Sequence, residues 1–175
     1  METLDTERPE KVIRIWLTLF VFGLVLSGLT AFALETELHW LLLHWPLDRD
    51  TQLYAWVVKV YEAVLDNNTR YPFLAYGSDW LAFGHLIIAL FFVGAIRRPL
   101  QNKWVLTTGM IACAGVFPLA FIAGAVRGIP LYWRLIDCSF GVLGLGPLII
   151  CYRKITRLER QLHSRIPQPN VFLQR

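Results

Sequence analysis

The side chains of this sequence that could do chemistry are few, and most sit in or beside long apolar stretches. His85 is the one polar ionisable residue within 80–96, Arg134 and Asp137 stand near the start of a stretch that runs to 152, and Arg127 closes the stretch before it. An ionisable group in hydrocarbon is costly and normally faces a bundle interior or a partner group. If the helices start near one membrane boundary, then at about 1.5 Å per residue His85 lies about 9 Å beyond Asp79, and Asp137 about 10 Å beyond Pro130. Arg134 and Asp137, three apart on one helical face, could pair. The matched depths predict a cluster with His85, Asp137 and Arg134 at its centre and Arg127, Asp79, Glu35 and His39 towards its rim.

Such a cluster has two uses. As a satisfied network of ions and hydrogen bonds it would fix the register of the helices. As a pocket opening to the outer leaflet, it would hold an anionic or carbonyl head group on Arg127 and Arg134, while His85 and Asp137 moved a proton. The second use fits a lipid or a quinone. A metal or haem site would draw on His39, His44, His85, Glu35 and Asp137, but the spacing is poor. His39 and His44 are five apart, no H-E-x-x-H or E-x-x-H occurs, and only one histidine falls within a span. No metal site is therefore expected, and no motif names a cofactor. Ser78 and Ser139 lack a G-x-S-x-G setting, and Asp137 beside Cys138 disfavours its thiolate. Cys113, Cys138 and Cys151 form no C-x-x-C pair and read as small hydrophobes between helices. No motif names a reaction.

The elements that must position these groups follow from composition. Of 175 residues, 55% are apolar and 17% charged, and mean hydropathy is +0.47, values that make a bilayer the natural solvent. The fold class expected is all-α: an integral membrane four-helix bundle with an additional amphipathic interfacial helix in the first outer loop. The spans lie at about 13–34, 79–96, 104–126 and 130–152, within a single membrane domain of residues 1–165. The remainder, 166–175, is a tail expected to be extended or poorly ordered. Residues 15–34 are an uncharged run long enough to cross a hydrocarbon core of about 30 Å. Ala31-Phe32-Ala33 resembles a signal-peptide cleavage site, but the run exceeds an ordinary h-region and is expected to stay as a span. Pro118 predicts a kink in the third span. Ala120, Gly124 and Gly128, at intervals of four, predict a small-residue packing face, and Gly141, Gly144, Gly146 and Pro147 predict close packing and a bend in the fourth span.

In the outer segment, 35–78, the polar residues Gln52, Lys59, Glu62 and Asp66 fall on one helical stripe, so this helix should rest its apolar remainder in the interface or on the bundle's outer end. Asp48 or Asp50 is the expected N-cap. Residues 35–45 extend the first helix as far as Pro46, with Glu35 and His39 on one face, and 67–78 read as a turn back to the membrane.

The basic residues are topology signals rather than a nucleic-acid footprint. Arg8, Lys11, Arg14, Arg97, Arg98, Lys103, Arg153, Lys154, Arg157, Arg160, Arg165 and Arg175 fall on one side, against Arg49, Lys59, Arg70, Arg127 and Arg134 on the other. The positive-inside rule places the richer side, with both termini, in the cytoplasm. This is the layout of many small bacterial inner-membrane proteins. The leading functional expectation is an outward-facing pocket that binds a lipid-like or quinone-like molecule, with membrane lipid as partner and no nucleic acid. The alternative is a non-catalytic accessory subunit, docking on a partner subunit through the small-residue face and the apolar girdle of 53–65. A second alternative is a membrane-embedded metal or haem enzyme.

Overall fold

The computed structural model describes residues 4–46 and 48–165, and the expectation for the tail 166–175 lies outside them. Among the described residues the chain is all-α, with α1 Leu4–Phe32, α2 Leu34–Leu43, α3 Gln52–Arg70, α4 Pro72–Arg97, α5 Lys103–Pro118, a π-helical turn Leu119–Ala123, α6 Gly124–Val126 and α7 Leu131–Arg165. Four stretches are long and apolar enough to cross a bilayer: Glu10–Phe32, Pro72–Arg97, Lys103–Val126 and Leu131–Ser164. Their large apolar side chains point outward, Ile111 at 67% and Leu143 at 69% exposure, which water would not tolerate but acyl chains do. The protein is an integral membrane protein. Its chain divides into two compact units, Met1–Val21 with Phe91–Arg175, and Phe22–Leu90.

In the first unit, four helical segments share a core. Ile13 and Leu17 of α1, Phe92 and Ala95 of α4, Val105 and Leu106 of α5, and Leu148, Cys151, Ile155 and Leu158 of α7 are all buried. The α7 residues recur at intervals of three and four, which lines them along one seam. Lipid is as apolar as leucine, so close packing, not exclusion from water, must hold these helices together. Small residues permit it. A Cβ on Gly109 would lie 2.7 Å from Phe92, and Gly141 and Gly144 admit Cys113, where a Cβ would stand 2.8 Å from its carbonyl oxygen and 2.7 Å from its sulfur. The Phe20 and Phe92 rings meet at a tilt of 53° with centroids 4.8 Å apart.

Pro118 has no N–H to give to the turn behind it, and the helix widens into the π turn immediately after it, at the predicted kink. The third span then stops at Gly128, whose φ of 68° only glycine adopts freely, while Ile129 donates its N–H back to Gly124 at 2.9 Å. This corrects the reading of Gly128 as a packing residue, since it is exposed and serves as a helix stop. Gly124 is buried, but against the Arg134 side chain. At the other end of the span, the Asn102 amide caps α4 by donating to Gly94 and Arg98 carbonyls, and Lys103 pairs with Glu159 at 2.6 Å. That contact exists because α7 continues as helix to Arg165, well past the expected boundary at 152.

The second unit contains the outer segment. The first helix is interrupted at Ala33, instead of continuing unbroken, and α2 then runs to Leu43. Helix α3 folds back antiparallel on α2, burying Leu38 and Val57 and leaving Lys59, Glu62 and Asp66 outside. Thr51, not Asp48 or Asp50, caps α3 by accepting the Tyr54 N–H at 3.2 Å, while Asp48 accepts the Asp50 N–H one turn earlier. The turn expected over 67–78 is replaced by helix. α3 reaches Arg70, only Tyr71 intervenes, and α4 starts at Pro72, where a missing N–H costs nothing in a first turn.

Candidate functional site

The interruption at Ala33 opens a recess in the second unit. Residues 31–36 form one wall, Val64, Asn67 and Asn68 of α3 a second, and Ala75, Ser78 and Asp79 of α4 the third, around a cavity of about 300 Å³. Each wall has a local cause. Ala33 ends α1 without a side-chain cap, so α2 starts beside the cavity with Glu35 in its first turn. Asn68 continues the inward stripe of Val57, Tyr61 and Val64 at intervals of four, three and four, and donates its amide N–H to Glu35 at 2.7 Å. The extra helical turns of α4 bring Ser78 and Asp79 round to the same space.

Asp79 is half-buried and has no hydrogen bond or ion pair among the described residues. It also forms part of a second hollow, lined by Phe32, Tyr76, Trp80 and Phe83 and about 350 Å³ in volume. Trp80 stands edge-on to Tyr76 at 5.9 Å and to Phe83 at 6.0 Å. A polar recess with two carboxylates, two amides and the two hydroxyls of Thr36 and Ser78 thus shares Phe32 and Asp79 with an aromatic groove. Chemically it offers acceptors to a donor-bearing head group, amide donors to a carbonyl, and an apolar surface to a tail.

The other predicted site residues of this unit lie outside the cavity lining. His39 shares the α3-facing side of α2 with Glu35, as expected, but its Nδ1 meets the Tyr61 hydroxyl at 3.1 Å. His85 is half-buried beside Gly28, and its Nδ1 must carry the proton, because it donates at 2.8 Å to the Leu81 carbonyl, which only accepts. Its Nε2 is left for another partner.

Arg127, Arg134 and Asp137 belong to the first unit. Arg127 is exposed at the end of α6. Arg134 lays its aliphatic stem across Gly124, so that a Cβ there would stand 2.6 Å from its Cδ, and its buried Nε has no partner. Among the described residues Arg134 and Asp137 form no ion pair, because Arg134 is drawn along the third span instead of along its own helix.

Sequence reasoning missed Asn67, Asn68, Ser78 and the aromatic wall, having treated 67–78 as a turn. The signal was the inward stripe of α3, which runs on through Asn68. Among the described residues no three His, Cys, Asp or Glu side chains converge as a metal site would require. Comparison with protein-family models, with characterised proteins and with solved structures returns no match.

Proposed function

We propose that this chain is a membrane-embedded binding protein that receives a lipid-like or quinone-like molecule at the end of its first two spans. The head group enters the recess of Glu35, Asn67, Asn68, Ser78 and Asp79, and the apolar remainder lies along Phe32, Tyr76, Trp80 and Phe83. The observation that carries this reading is Asp79, an unpartnered carboxylate on the wall that the polar recess and the aromatic groove share. A carboxylate at that depth needs a donor, and a hydroxyl or ammonium on an amphiphile supplies one. The acceptor-rich recess also shifts the emphasis from an anionic head group on arginines to one that donates hydrogen bonds, such as a quinol or an amine-bearing lipid. The distribution of basic residues supports a bacterial inner membrane with both termini in the cytoplasm, so that the recess faces outward.

Native mass spectrometry of the protein extracted with its lipids tests this. A co-purifying mass is expected on the wild type, reduced at least several-fold in Asp79→Ala and in Trp80→Ala. Equal retention by both variants would sink the reading.

A second reading, an accessory subunit of a larger complex, is supported by Trp40 and Leu43, 61% and 62% exposed on α2, a helix too short to be a span. Crosslinking from whole membranes through position 43 separates the two readings, since an accessory subunit yields a discrete heteromeric product and a solitary binding protein does not.

A further inference from the structure

The lower part of α7 carries a surface that the proposed ligand site does not use. The helix has 35 residues, which at about 1.5 Å each is about 52 Å, against a hydrocarbon core of about 30 Å. Its extra length lies at the C-terminal end, because no charged residue occurs between Asp137 and Arg153. An aromatic residue beside a basic one recurs where three helices leave the apolar region, at Trp16 and Arg14, Trp104 and Lys103, and Tyr152 and Arg153, as at a head-group boundary.

Beyond that boundary the helix is two-faced. At about 100° per residue, Arg153, Arg157 and Arg160 fall within about 60° of one another, while Cys151, Ile155 and Leu158 occupy the opposite side. The three arginines are exposed and the other three residues are buried. Arg97, the last residue of α4, and Arg98, which follows it, are also exposed and belong to the same unit. None of these five guanidinium groups has a carboxylate partner among the described residues, and Glu159, the only acid after Asp137, is held by Lys103. A solvated face would gain from alternating signs. This one has a single sign and starts at the head-group boundary, at Arg153.

We infer that the stripe Arg153, Arg157 and Arg160, with Arg97 and Arg98, is a contact surface for the phosphate groups of anionic phospholipids. Charge complementarity selects this occupant. Guanidinium forks pair with phosphate oxygens in a bidentate manner, and a basic cluster directly beside a span gathers anionic lipid from the leaflet it faces. Arg153 meets the head groups first, and Arg157 and Arg160 stand about 6 and 10 Å further along the helix, above the phosphate plane.

The test uses the full chain in nanodiscs of mixed phosphatidylcholine and phosphatidylglycerol, with retained lipids counted by native mass spectrometry. Phosphatidylglycerol should be enriched over its bulk share on the wild type. The enrichment should fall by at least about five-fold, the worth of one arginine at an anionic surface, in R153Q/R157Q/R160Q. The variant R153K/R157K/R160K should keep most of it, and R49Q/R70Q, in the second unit, should change nothing. Circular dichroism and monodispersity confirm that each variant is folded, and soluble glycerol phosphate serves as competitor. Enrichment that survives the three glutamines, or that millimolar glycerol phosphate abolishes, overturns the proposal.

Discussion

At the scale of single residues, the molecule depends on where a side chain is missing as much as on where one is present. Gly109 faces the Phe92 ring so closely that Gly109→Val should force the ring off its rotamer and destabilise the first unit by about 1 to 3 kcal/mol. Gly23, with open space around it, should accept alanine with no loss. Thermal unfolding of both variants in the same detergent checks the contrast. Of the seven residues singled out from sequence, Glu35 and Asp79 line the recess, because the cost of a carboxylate near hydrocarbon is written in its residue type. Asn67 and Asn68 carry no such mark. An amide is as common in a turn as in a buried hydrogen bond, and only the α3 register decides between them.

At the scale of elements, caps and breakers set the boundaries. Thr51 is the acceptor for the first turn of α3, so Thr51→Ala should cost about 1 kcal/mol, while Asp50→Ala should cost much less. Amide hydrogen exchange across 52–56 reads the difference locally, with faster exchange expected only in the threonine variant. The four spans were legible because long apolar runs with few or no charges leave few alternatives to a crossing helix. Their ends were less so. Pro72 reads as a breaker from one side and as a favourable first-turn residue from the other, and α4 takes the second role. Pro118 was read correctly as a disturbance, but a missing donor does not dictate whether the helix bends, breaks or widens into a π turn.

At the scale of the whole molecule, four helices are long and apolar enough to cross a bilayer, and the positive-inside rule predicts that their basic ends share a side. Single cysteines at Gln101 and Ser164 should label with a membrane-impermeant maleimide from the same compartment, and one at Asp50 from the opposite compartment, in a background where Cys138 and Cys151 are buried and Cys113 half-buried. Labelling of Gln101 and Asp50 from one side would dismantle the four-span topology, and with it the outward recess and the head-group level of the α7 arginines.

The sequence by itself determined the solvent of this protein, the number of its crossings and the helical class of its fold, because hydropathy and charge act on each segment independently of the others. Only the tertiary structure decided that α1 breaks at Ala33, that α3 turns the Asn68 amide towards Glu35, that α4 brings Asp79 to the edge of an aromatic groove, and that Arg134 lies along Gly124 rather than beside Asp137. These are matters of which surfaces meet. A buried polar group takes the partner that packing places within reach, and spacing along one helix can name the candidates but not choose among them.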